Sequence, residues 1–192
     1  ESKERVQQMF SDLNRFVVKT SKSLDILYDK RDELSAATLS FMKNVPVFRE
    51  LTEKDDVSLK AKSKKLFTLA ALYDANKELL KGREDANVME NVALLTKFWQ
   101  EVAKHMPAWE RVLKGQKEAQ EMRAENISAH STVLRAIGGI GGELISEEGW
   151  EQKLAGLASI DWSKKNPEWE GVCIVANSVV SNRQARAATR AF

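Results

Sequence analysis

Cysteine is almost absent from this chain: Cys173 is the only one in 192 residues. No internal disulfide can form and no C-x2-C zinc spacing exists. A lone thiol fits a reducing compartment, so a cytoplasmic setting is expected. Three prolines and nine glycines are too few for a disordered chain and leave room for long helices. No apolar run approaches the roughly 20 residues of a membrane span, so no membrane contact is expected. Glu1, Lys3, Glu4 and Arg5 crowd the start, which excludes a signal-peptide pattern there. Net charge is also scarce: 30 Lys plus Arg against 28 Asp plus Glu gives +2. That balance by itself predicts no nucleic-acid binding, so an anionic partner must be met by local clusters. The two histidines, His105 and His130, lack a second histidine at ligand spacing and read as polar or capping residues. No metal and no cofactor are expected.

What remains is 43% hydrophobic and 30% charged residues, enough for one helical domain over residues 1–192. Apolar residues recur at three- and four-residue spacings in most segments. Val6, Met9, Phe10, Leu13, Phe16 and Val17 predict a helix over residues 3–18, with Thr20 and Ser21 as capping groups. Leu24, Leu27 and Tyr28 form a short apolar turn, and a helix follows to about Lys43. Pro46 disfavours helix at Val45, so residues 45–52 read as an ordered loop. Further helices are expected from Leu66 to Leu80, over 87–105, from Trp109 to Leu113, over 116–136, from Glu147 to Leu157 and from Ser181 onward. Val172 to Val175 alone has strand character. The fold class is mainly α, a multi-helix bundle of about seven or eight helices with at most one short strand pair.

Few constellations carry chemistry. Gly138, Gly139, Gly141 and Gly142 resemble a phosphate loop, but Glu143 and Leu144 stand where Lys-Ser/Thr would be required. The glycines are better explained as places where a helix ends, bends or meets another backbone closely. Asp29, Asp32 and Glu33 beside Lys30 and Arg31 read as local ion pairs. Trp99, Trp109 and Trp150 fall at core positions. Trp162 and Trp169 lie in a polar loop, where burying the loop competes with stacking on bases.

Two basic groups stand out. Lys60, Lys62, Lys64 and Lys65 fall within six residues. Arg183, Arg186 and Arg190 recur at helical spacing in a stretch, Gly171 to Phe192, without a single acid. For the lysines, phosphate contact and a merely solvated face are both open. For the arginines, an anionic partner competes with simple stabilisation of a helix C-terminus.

Six strings then resemble the DNA sulfur-modification protein B family, whose members carry a DGQHR motif in an N-terminal domain. They are Met9-Phe10-Ser11-Asp12-Leu13-Asn14-Arg15, Lys22-Ser23-Leu24-Asp25-Ile26-Leu27-Tyr28-Asp29, Ser63-Lys64-Lys65-Leu66-Phe67-Thr68-Leu69, Ile127-Ser128-Ala129-His130, Ile160-Asp161-Trp162-Ser163 and Trp169-Glu170-Gly171. They span nearly the whole chain in order. The resemblance implies an accessory, regulatory protein of bacterial DNA phosphorothioation that binds promoter DNA of its own gene cluster and represses it. The partners so implied are DNA and the other phosphorothioation proteins, and a homo-oligomer is an open possibility. The DNA-contacting set expected is Lys60, Lys62, Lys64, Lys65, Arg183, Arg186 and Arg190, with Asn14 and Arg15 nearby. Two departures matter: the DGQHR string is absent, and Phe16 stands where the family pattern has a histidine. The first, with the start at Glu1, reads as a fragment lacking the N-terminal DGQHR domain. No metal spacing, phosphate loop or nucleophile-base pair is present, so no self-contained enzyme is expected. A helical scaffold for other DNA-modification proteins, or a nucleotide-dependent enzyme with its site mostly upstream, are the rival readings.

Overall fold

The computed structural model describes residues 3–15, 21–29, 31–83, 85–176 and 178–191. Among them the chain is mainly α, with eleven α-helices and two sheets of two short strands each. The elements run α1 (Lys3–Arg15), α2 (Lys22–Tyr28), α3 (Glu33–Asn44), α4 (Pro46–Leu51), β1 (Thr52–Glu53), β2 (Phe67–Thr68), α5 (Leu69–Leu79) and α6 (Val88–Lys104). Then follow α7 (Pro107–Leu113), α8 (Ala119–Glu125), α9 (Ser131–Leu144), α10 (Trp150–Lys153), β3 (Ile174–Val175), β4 (Ser178–Val179) and α11 (Arg183–Ala191). Phe16, Val17 and Thr20, expected to end and cap the first helix, lie outside the described residues.

The helix count exceeds seven or eight for identifiable reasons. Val45 is extended, at φ −113° and ψ 107°, as the following proline demands. Pro46 itself starts α4 at a position where a missing N–H costs nothing, so the expected loop is a helix. The helix expected over 116–136 divides because Asn126 turns extended, at φ −135° and ψ 139°. His130 then caps α9: its side chain accepts the Thr132 amide. After Lys153 the expected Glu147–Leu157 helix tightens into a 3-10 turn, Leu154–Ser159. The expected strand appears as β3, paired antiparallel with β4. The parallel pair β1–β2 has no signal in the sequence.

The core is aromatic at one end and small at the other. Phe48 of α4 meets Phe41, Phe67, Trp99 and Trp109 at ring-centroid distances of 5.7, 4.9, 5.4 and 5.8 Å. Trp99, Trp109 and Trp150 are all buried, as their apolar spacing implies. Trp162 and Trp169 stack on each other at 5.5 Å, and their indole N–H groups donate to the Leu157 and Asp161 carbonyls. Trp169 is fully buried, so this pair closes a loop. At the small end, α9 lies against α5 with its glycines at the contact. The helix runs on through all four. A Cβ on Gly138 would stand 2.2 Å from the Ala75 carbonyl oxygen, and one on Gly141 would stand 2.4 Å from Phe98 Cζ. Gly138 and Gly142 thus let the α5 backbone approach closely, while Gly141 makes room for the Phe98 ring. α11 packs on the other side of α9, parallel to it: Thr132 Oγ1 donates to the Val180 carbonyl at 3.0 Å near one end, and Arg190 pairs with Glu143 near the other.

Candidate nucleic-acid interface

Between β1 and β2 the chain makes a loop, residues 54–66, whose ends are pinned together. Thr52 pairs with Phe67 and Glu53 with Thr68, and the Leu66 amide donates to the Leu51 carbonyl at 2.8 Å. A loop of this length without secondary structure needs other ties. Ser21 and Ser23 of the α2 region donate their hydroxyls to the carbonyls of Asp55 and Asp56, at 2.7 and 3.1 Å. The main tie is Arg123 on α8. Its Nη1 donates to the carbonyls of Ser63, at 2.8 Å, and Lys65; its Nη2 donates to those of Lys60 and Ala61, at 3.2 and 2.9 Å. The fork geometry of one guanidinium thus collects four backbone acceptors. Partial burial lowers the Arg123 pKa from its ordinary value, because desolvation disfavours the charged form.

With its carbonyls turned inward onto Arg123, the loop presents its lysine side chains outward. Lys62 and Lys64 are exposed and have no ion-pair partner among the described residues. Lys60 is exposed and pairs with Asp56 at 3.1 Å, a solvated contact that an anion can displace at little cost. Lys65 differs: its Nζ donates to the Glu50 carbonyl at 2.6 Å, which ties its ammonium to the base of the loop.

The loop forms one wall of a cleft of about 380 Å³. Val57, Ser58, Leu59 and Leu66 line it from the loop; Thr68 and Ala71 from β2 and α5; Asn126, Ile127, Ala129, His130 and Ser131 from the turn between α8 and α9. Arg123, Lys164 and Val179 complete it, and among the described residues none that lines it is acidic. The turn is tightly specified. Asn126 Oδ1 accepts the Ser128 amide at 2.8 Å, the Ser128 hydroxyl accepts Trp109 Nε1–H at 3.0 Å, and the Ile127 amide donates to the Trp162 carbonyl at 2.9 Å. Lys164 is held beside it by its own amide, which donates to the Glu125 carbonyl at 2.8 Å. His130 Nδ1 accepts the Thr132 amide at 3.3 Å. Burial, and then the charge of Lys164, lower the His130 pKa, and Nδ1, as the acceptor of the Thr132 amide, leaves the ring hydrogen on Nε2.

The structure treats the expected contact residues unequally. It brings the lysine loop and Val179, at the entry to α11, to one cleft. Arg183, Arg186 and Arg190 share α11 at spacings of three and four, which puts them on one helical face. Arg190 is engaged with Glu143 of α9. The side chains of Arg183, Arg186, Asn14 and Arg15 lie outside the described part of the structure. Nothing in the sequence singles out Arg123. Its partners are backbone carbonyls, which every residue carries, so no residue-type pattern marks it.

Among the described residues no group of three or more His, Cys, Asp or Glu side chains could hold a metal ion. No described helix is long and apolar enough to cross a membrane. Cys173 is buried and unpaired with another cysteine, and burial raises its thiol pKa.

Comparison with known proteins supplies a family. The DndB family model, described as DNA-sulfur modification-associated, matches residues 1–191, and the chain belongs to that family. No curated protein and no solved structure matches it. Two of the six strings that carry the resemblance in the sequence line the cleft, and a third adjoins it. Leu66 and Thr68 come from one, Ile127, Ala129 and His130 from another, and Lys164 directly follows a third.

Proposed function

We propose that this chain is a DNA-binding accessory protein of a DNA phosphorothioation system, repressing transcription of its own gene cluster in the cytoplasm. Membership in a DNA-sulfur-modification family supplies the context. The observation that carries the reading is the Arg123-tied loop, which holds Lys60, Lys62 and Lys64 exposed beside a cleft whose described lining contains no acid. Exposed ammonium groups on an ordered loop meet phosphates by releasing condensed counterions, which needs no excess of total charge. Arg183 and Arg186, on the helix that Val179 leads into, extend this footprint, with Asn14 and Arg15 as further contacts. Phosphate contacts fix register and orientation, so promoter selectivity comes from other groups. A protein-docking scaffold needs a contiguous apolar patch. The exposed large apolar side chains, Val6, Met9, Tyr28, Val57, Met89 and Val175, instead belong to five different segments. The other phosphorothioation proteins and a second copy of this chain are the rival partners, to be sought by pull-down and by size in solution.

The test is a gel-shift salt titration on promoter DNA. Lys60→Ala/Lys62→Ala/Lys64→Ala is expected to weaken binding and to lower the salt slope by about one for each phosphate no longer neutralised. Arg183→Ala/Arg186→Ala is expected to act in the same direction. Affinities and slopes equal to those of the unaltered chain in both variants would reject the reading.

A further inference from the structure

The cleft holds an unusual surplus of hydrogen-bond donors. His130 Nδ1 is taken by the Thr132 amide, which leaves Nε2–H pointing away from that contact with no acceptor among the described residues. Asn126 Oδ1 is taken by the Ser128 amide, which leaves the Nδ2 hydrogens without one. Lys164 is half-buried and has no ion pair among the described residues, and the Ser131 hydroxyl has no hydrogen-bond partner among them either. Arg123 adds a positive charge at the edge, although its guanidinium hydrogens are spent on carbonyls. Among the described residues no carboxylate lines the cleft to balance them. Native sites satisfy partly buried donors, with water or with a ligand. Four donors from two segments, the α8–α9 turn and the loop at Lys164, line one space with a surplus of positive charge and fit an anion with several acceptor oxygens.

The remaining walls specify the rest of the ligand. Val57, Leu59, Leu66, Ile127 and Val179 are apolar. The volume, about 380 Å³, suits a small organic molecule rather than a bare ion. We propose that the cleft is a binding pocket for a phosphate ester of nucleotide size, with its phosphate on Lys164, His130 Nε2–H and Asn126 Nδ2–H and its body against the apolar wall. The phosphate can come from a free mononucleotide or from a nucleotide unit of a DNA strand. This inference does not depend on the lysine loop contacting DNA: the pocket can fill while the loop fails, and the reverse.

The experiment is calorimetric and amide-shift titration of the full chain with AMP, with a thymidine dinucleotide bearing a 5′-phosphate, and with adenosine. At least one phosphate-bearing probe is expected to bind saturably at about 10 μM to 1 mM, with shifts confined to residues 57–71, 123–132, 164 and 179. Tighter AMP than dinucleotide binding identifies the free mononucleotide, and the reverse order identifies the strand. Lys164→Ala is expected to weaken binding about tenfold, whereas Lys165→Ala, an exposed neighbour, leaves it unchanged. His130→Asn keeps a capping acceptor for α9 but removes Nε2–H; it is expected to weaken binding at an unchanged melting temperature. Adenosine binding as tightly as AMP, or no saturable shift with any probe, overturns the proposal.

Discussion

Gly138→Ala is expected to destabilise the fold by about 2–3 kcal/mol, although alanine is the better helix former. Inside a helix that exchange ordinarily gains about 1 kcal/mol. Here the new Cβ would stand 2.2 Å from the Ala75 carbonyl oxygen and 3.0 Å from its carbon. Both are backbone atoms of α5, so no rotamer change relieves the clash. The two helices must separate, and the tight packing of Ala75, Leu79 and Phe98 where they meet loosens with them. For a chain of this length the destabilisation lowers the melting temperature by about 5–10 °C. Gly156→Ala is the matched control. Nothing lies within 4 Å of a Cβ there, so its melting temperature is expected to stay the same or rise slightly. Thermal melts of the two variants decide the matter.

Asn76→Leu is expected to cost about 2–5 kcal/mol, because it orphans two buried groups at once. Asn76 is fully buried on α5; its Nδ2–H donates to Thr38 Oγ1 at 2.9 Å and its Oδ1 accepts Trp99 Nε1–H at 2.7 Å. Thr38 and Trp99 are equally buried, so water cannot replace either bond. The amide therefore ties α3, α5 and α6 through one side chain. The signature is non-additivity. Trp99→Phe removes the indole donor, so the double variant Asn76→Leu/Trp99→Phe should be more stable than the sum of the two single losses implies. Denaturant unfolding of the four proteins measures the coupling; strict additivity would mean the network is not the source of the cost.

These two sites illustrate what is legible in a sequence. Glu143 and Leu144 exclude a phosphate loop, which leaves a helix end, a bend or a close approach; the structure shows the last, with Gly138 and Gly142 against the α5 backbone. The helical class follows from apolar spacing, which reports a buried face directly. Helix ends are less legible. Pro46 reads as an interruption, since a proline marks a boundary without saying on which side the helix lies. The division between α8 and α9 turns on Asn126 and His130, whose capping role depends on where α9 begins. The β1–β2 pair joins segments far apart in sequence, each too short for any period to show.

The candidate site divides along the same line. Lys60, Lys62, Lys64 and Lys65 are visible as a charge run, yet the sequence does not say that Lys65 is spent on the Glu50 carbonyl. Arg190 is visible as one of three arginines, yet its pairing with Glu143 needs α11 laid parallel to α9. Arg123 and Lys164 gain their roles only through tertiary contacts: the first reaches carbonyls about 60 residues away, and the second is set beside His130 by a loop that the Trp162–Trp169 stack closes.

That the Arg123-tied lysine loop meets DNA is tested most directly by amide hydrogen exchange of the chain, free and with saturating promoter DNA. Slowed exchange is expected over residues 57–66 and 179–191, with α6 and α7 unchanged. Protection confined to α6 and α7, with residues 57–66 exchanging as in the free chain, would contradict it.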